Sequence, residues 1–199
     1  MATFFKKYSR IIVNLFVNQL GMTVFGFIVS TFALTYSQKN AAEGDNLFLL
    51  VASIFSIVFY MFLVLVATNE EGVRDKIRID AGRIKKEPSL GFFWGLCAAL
   101  PNYLLAIIAV PTYFIYVSNT SLTALGRVSA ITEALARILE APYSGLVSVI
   151  FSDTSDATAM ALKMLTLFLL PLPAILFSWF GYLLGINGKM LLPEKKKKK

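Results

Sequence analysis

Residues Leu47–Ala67 read LFLLVASIFSIVFYMFLVLVA, twenty-one consecutive positions without a charge. At about 1.5 Å of rise per residue, a helix of this length reaches roughly 31 Å, the thickness of a bilayer's hydrocarbon core. Three further uncharged runs flank it: Ile11–Gln38, Pro88–Gly126 and Met164–Gly188. Each is long enough to cross a membrane as a helix. The whole chain of 199 residues is 57% hydrophobic and 16% charged, with a mean hydropathy of +0.68. Soluble domains carry fewer apolar and more charged residues, so a soluble enzyme is a poor reading.

These runs predict an all-α integral membrane protein forming one membrane domain over 1–199. It has four transmembrane helices, at about 11–36, 47–67, 90–117 and 160–186. An extra interfacial helix is expected between spans three and four. The segment 69–89 reads as a cytoplasmic loop and 118–159 as an extracytoplasmic segment. Orientation follows from the basic residues. Lys6, Lys7, Arg10, Arg74, Lys76, Arg78, Arg83, Lys85, Lys86, Lys189 and the run Lys195, Lys196, Lys197, Lys198 and Lys199 fall on one side. Only Lys39, Arg127, Arg137 and Lys163 fall on the other. The positive-inside rule then puts both termini in the cytoplasm of a multi-pass cell-membrane protein. The asymmetry survives removal of the five-lysine run. The N-terminal segment lacks a small-x-small cleavage pattern after a short apolar core, so it reads as a retained span rather than a signal peptide.

Several chemistries are closed. There is no histidine, which removes His-ligated metals, Ser-His-Asp catalysis and imidazole proton shuttles. The one cysteine, Cys97, sits in an apolar run and reads as a small packing residue. By this topology every Asp and Glu lies outside the span cores, so paired intramembrane carboxylates are not expected. No phosphate-binding glycine loop or metalloprotease motif occurs. The chain is read as a non-enzyme, with no cofactor, no metal and no nucleic-acid partner.

The candidate helix-packing or path residues are those polar or backbone-altering groups that fall inside spans. Asn14 and Asn18 lie one turn apart on span one, with Gly21 and Phe25 on the same face, and their place near Arg10 favours the headgroup region. Gly91 and Gly95, and again Gly181 and Gly185, have the spacing that lets helices approach closely. Pro101 removes a backbone donor beside Asn102, a polar group deep in span three. Pro171 and Pro173 interrupt span four. Ser53, Ser56 and Tyr60 share a face of span two. Asn69 reads as the N-cap of a short amphipathic helix on the headgroups, with Gly82 as its stop. Arg83, Lys85, Lys86 and Lys195–Lys199 are candidate contacts to anionic lipid.

Between spans three and four, Leu122, Leu125, Ser129, Thr132, Leu135 or Ala136, and Leu139 trace one helical face. Arg127, Glu133, Arg137 and Glu140 mark the other. Pro142 ends that helix, and Tyr143–Phe151 is too short to span, so it is expected to dip against the bundle. Ser155 or Asp156 would cap the last span. The partners implied are the lipid bilayer with its anionic headgroups, and a second copy or another membrane protein. The leading functional expectation is a non-catalytic accessory or structural subunit. The alternative is a small oligomeric transporter or pore whose path runs near the Pro-interrupted spans three and four.

Overall fold

Long uncharged runs rich in Leu, Ile, Phe and Ala satisfy their backbone groups most simply as helices, and helices are what form. The computed structural model describes residues 2–39, 47–151 and 157–192. Seven α-helices are found there: α1 (Ala2–Lys39), α2 (Leu47–Asp80), α3 (Leu90–Ser118), α4 (Thr123–Leu139), α5 (Ser144–Ile150), α6 (Ala157–Leu169) and α7 (Leu172–Ile186). A single 3-10 turn, Ala141–Tyr143, joins α4 to α5. No strand occurs among the described residues. Four helical stretches are long and apolar enough to cross a membrane: Lys6–Tyr36, Leu47–Asp80, Leu90–Ser118 and Thr158–Ile186.

The second of these corrects the reading of 69–89. There is no break at Asn69, because nothing between Ala67 and Asp80 disfavours helix strongly enough to stop it. Pairs at helical spacing support the charged end: Arg74 with Glu71, Arg78 with Asp75 at 3.0 Å, and Lys76 with Asp80 at 2.8 Å. The helix stops where the sequence said it would. Gly82 takes φ +68°, its N–H donates to Ile79 O and the Arg83 N–H donates to Arg78 O. That pair of bonds closes the carbonyl end of a helix around a left-handed residue, which glycine adopts without a Cβ clash. Asn69 is therefore a mid-helix residue rather than a cap.

The chain divides into two compact units. The described residues of the first come from within Met1–Phe16, Met61–Ala98 and Ala174–Lys199. Its packing depends on small residues facing α7. A Cβ on Gly91 would lie 2.5 Å from Tyr182 Cβ, and one on Gly95 would lie 2.9 Å from Ile175 Cα. On the other side of α7, a Cβ on Gly181 would lie 2.5 Å from Leu65 O, and one on Gly185 would lie 2.7 Å from Gly72 Cα. The close approach lets Ser178 Oγ donate to Gly91 O at 2.7 Å. The Asn69 side chain ties down the chain after α7. Its Nδ2 donates to Gly181 O and Lys189 O, and its Oδ1 accepts the Leu191 N–H.

The described residues of the second unit come from within Val17–Tyr60 and Ala99–Pro173. Its apolar core joins α3, α4 and α6 through Ala106, Ala109, Val110, Ala136, Met164 and Leu167. Along α1 the buried stripe is Gln19, Thr23, Gly26 and Ser30, at 4-3-4 spacing. The opposite face exposes Val24, Phe27, Ile28 and Phe32. α4 has the same inverted polarity. Ser129 and Ala136 are buried, and Glu133 and Arg137 are half-buried as an ion pair at 2.7 Å. Val128, Ile131, Leu135 and Ile138 are exposed. Of the face traced by Leu122, Leu125, Ser129, Thr132, Leu135 or Ala136, and Leu139, Ser129 and Ala136 are buried and Leu125, Thr132 and Leu139 half-buried, so Ala136 rather than Leu135 completes it, and Glu133 and Arg137 turn inward beside it. Helical period identifies faces but not which solvent lies outside. When hydrocarbon surrounds the protein, burying Leu gains little and the small and polar groups turn inward.

Candidate functional site

The most chemically unusual place in the second unit is the turn after α4. Here the chain reads Leu139-Glu140-Ala141-Pro142-Tyr143-Ser144. Pro142 enters the 3-10 turn, and the Tyr143 N–H donates to Glu140 O at 2.9 Å. The α1 stripe receives this turn. Thr23 Oγ1 donates to Leu139 O at 3.0 Å, and the Ser30 and Ser144 hydroxyls lie 2.8 Å apart. Gly26 is required between them, since a Cβ there would lie 2.6 Å from Pro142 N. From α2, Ser53 and Leu49 close over Gly145.

Glu140 is carried into this packing with only 3% of its surface exposed. Neither carboxyl oxygen has a hydrogen-bond partner among the described residues, and the same holds for the Tyr143 hydroxyl and for Ser53 Oγ. Tyr60 of α2, Tyr103 of α3 and Tyr143 all lie within electrostatic range of the carboxyl. Burial pushes the Glu140 carboxyl up to about 8, opposed by the Arg137 guanidinium. Burial likewise raises the Tyr143 phenol. Beside Glu140 lies a cavity of about 90 Å³, lined also by Arg137, Ser144, Ser148, Lys163 and Leu170. A water needs roughly 10–15 Å³, so several fit. Leu170 belongs to the interruption between α6 and α7, with Pro171 buried next to it. The buried acid and the broken helix therefore meet at one cavity.

The remaining candidate residues fall in different places. Asn102 is buried, and its Oδ1 accepts from Gln19 Nε2 at 2.9 Å. It is paired across helices rather than left to the carbonyl freed by Pro101, and α3 is continuous through both Pro101 and Pro111. Asn14 is exposed and Asn18 half-exposed; the inward amide of α1 is Gln19. Pro173 is half-buried in the first turn of α7. Gly91, Gly95, Gly181 and Gly185 are consumed by packing within the chain. Cys97 is a half-buried free thiol. Arg83, Lys85 and Lys86 are exposed on the turn after α2, where Lys86 Nζ donates to Asn187 Oδ1 at 2.9 Å. Lys195–Lys199, Ser155 and Asp156 lie outside the described residues.

Two carboxylates that the topology placed in aqueous segments are buried. Asp75, at 4% exposure, is bonded by Arg78 and by the Tyr182 hydroxyl at 3.2 Å. Glu140 is the other, and its carboxyl has no hydrogen-bond partner among the described residues. The signal for Glu140 was present as Glu-Ala-Pro at the end of an amphipathic helix, but Glu140 was grouped with Arg127, Glu133 and Arg137 on the face opposite Ser129 and Leu139. Comparison with protein-family models, with curated proteins and with solved structures gives no match.

Proposed function

We propose that this chain is a non-catalytic, multi-pass protein of the cell membrane that works as a small transporter or pore subunit, with Glu140 as its proton-exchanging group. The observation that carries this reading is the buried Glu140 carboxyl, without a hydrogen-bond partner among the described residues, beside a cavity at a helix interruption. Buried ionisable groups facing protein interiors mark ion or proton paths in membrane proteins, and irregular backbone at membrane depth is tolerated where it is enclosed or lines a cavity. The exposed apolar sides of α1 and α4 support hydrocarbon as the surrounding medium. On this reading α4, the 3-10 turn and α5 form a re-entrant segment that does not cross, which leaves four spans and both termini in the cytoplasm.

An accessory role with a second copy or a partner protein loses one of its supports, because both small-residue faces are filled by the chain's own helices. The deciding experiment is reconstitution of the purified full chain into liposomes carrying a pH-sensitive dye. Under an imposed membrane potential the wild type should acidify or alkalinise the lumen. Glu140→Gln should abolish the change, while Glu140→Asp keeps part of it. Wild-type liposomes no leakier than empty ones, together with a stoichiometric co-purifying membrane protein, would return the accessory reading. Orientation is checked with single cysteines at Gln38 and Lys85 in a Cys97→Ser background. An impermeant reagent on intact cells should label Gln38→Cys and not Lys85→Cys.

A further inference from the structure

We propose that the pocket lined by Lys7, Arg10, Arg74, Arg78 and Trp94 in the first unit binds the phosphate of an acidic phospholipid headgroup. This site is separate from Glu140 and does not rest on the transport reading. The pocket has a volume of about 180 Å³, ample for a phosphate group. It gathers four basic side chains from α1 and α2 around two acids, Glu71 and Asp75. Both acids are already engaged, Glu71 by Arg74 and Asp75 by Arg78 and Tyr182. Among the described residues neither Lys7 nor Arg10 forms a salt bridge. Lys7 Nζ lies 4.8 Å above the Tyr8 ring, with Asp75 and Glu87 within electrostatic range.

A second, independent observation points to an acceptor in the same place. Trp94 is 1% exposed, wedged against Tyr182 at 4.7 Å and Tyr8 at 5.4 Å between ring centroids. Its indole Nε1–H is buried without a hydrogen-bond partner among the described residues. A buried donor of this kind is costly unless something accepts its proton. An anionic oxygen in a pocket of guanidinium and ammonium groups would do so, and Arg presents a fork suited to phosphate. The placement selects a lipid over a soluble phosphate. Lys7 is near the start of the apolar stretch Lys6–Tyr36, Arg78 near the end of Leu47–Asp80 and Trp94 near the start of Leu90–Ser118. The unit also exposes Val13, Ile77 and Phe93, apolar surface for acyl chains.

The test uses the full chain in an uncharged detergent, in a Trp179→Phe background so that Trp94 is the only indole. Phosphatidylglycerol, phosphatidylcholine and inorganic phosphate are titrated separately, reading Trp94 emission and bound lipid by native mass spectrometry. Phosphatidylglycerol should bind saturably and shift the emission, with phosphatidylcholine at least about tenfold weaker. Lys7→Gln with Arg10→Gln, both at exposed positions, should weaken phosphatidylglycerol by about tenfold or more. Arg83→Gln, Lys85→Gln and Lys86→Gln together should leave it within about twofold, because a built site does not depend on general surface charge. Equal affinity for the two lipids, or equal losses in the pocket and turn variants, would overturn the proposal. Inorganic phosphate that shifts the emission alone and displaces the lipid would assign the pocket to a soluble phosphate and overturn the lipid assignment.

Discussion

Replacing Glu140 by Gln should remove a pH dependence that the wild-type fold carries. The folded carboxyl is raised from its ordinary 4.5 to about 8, chiefly by burial, so the folded state holds the proton more tightly than the unfolded chain. Between those two values the unfolded chain releases a proton that the folded one keeps, so stability falls as pH rises. The contribution is complete below about pH 4.5, is lost progressively up to about pH 8, and is level above. At about 1.4 kcal/mol per pH unit the full span corresponds to at most about 5 kcal/mol. The groups facing Glu140 do not reverse the sign. Arg137 opposes the rise but only partly, Lys163 lines the same cavity, and the three tyrosines stay neutral through this range. Glutamine keeps the shape and the polarity of the neutral acid. The variant should therefore melt like the wild type near pH 5 and be distinctly more stable near pH 9. The assay is thermal unfolding of both proteins in one detergent at half-unit steps from pH 5 to pH 9. Parallel profiles across that window would refute the reasoning, since they would mean that Glu140 does not titrate on unfolding.

Other outcomes follow from packing. Asn102→Leu strands the Gln19 amide and should cost about 1–2 kcal/mol, most of it recovered when Gln19→Leu is added, as read by unfolding in detergent. Gly26→Ala places a methyl against the Pro142 backbone and should destabilise by about 1–3 kcal/mol, whereas Gly21→Ala, which meets nothing within 4 Å, should be neutral or gain about 0.5–1 kcal/mol. Asn69→Leu removes one hydrogen bond to α7 and two that hold the chain after it, so trypsin should cut after Lys189 faster than in the wild type while the rest of the chain keeps its helical circular dichroism.

How much of this was legible beforehand depends on the kind of information each feature needs. The four long apolar helical stretches were readable because a span of uncharged residues has a length set by backbone geometry, independent of what packs beside it. The stop at Gly82, the helix after Ser118 ended near Pro142, and the interruption at Pro171 were readable because Gly and Pro act through their own backbone. Asn69 misled because its residue type suits both a cap and a side-chain clamp, and only the Lys189 carbonyl and Leu191 amide beside it decide between them. The inward groups of α1, and Glu140 at the end of α4, were missed for a different reason. Periodicity sorts Gln19 from Val24, or Ala136 from Leu135, onto opposite sides, yet the inward side depends on whether water or hydrocarbon lies outside and on which neighbour has a matching polar group. Where the apolar helices run and where Gly82 and Pro171 stop or interrupt them could be read from residues alone, since those are properties of each residue's own backbone and polarity. That Gln19 meets Asn102, that Trp94 lies in a pocket with Lys7 and Arg10, and that Glu140 is buried without a hydrogen-bond partner among the described residues came only with the packed fold, because each depends on residues distant in the chain being brought within a few ångströms.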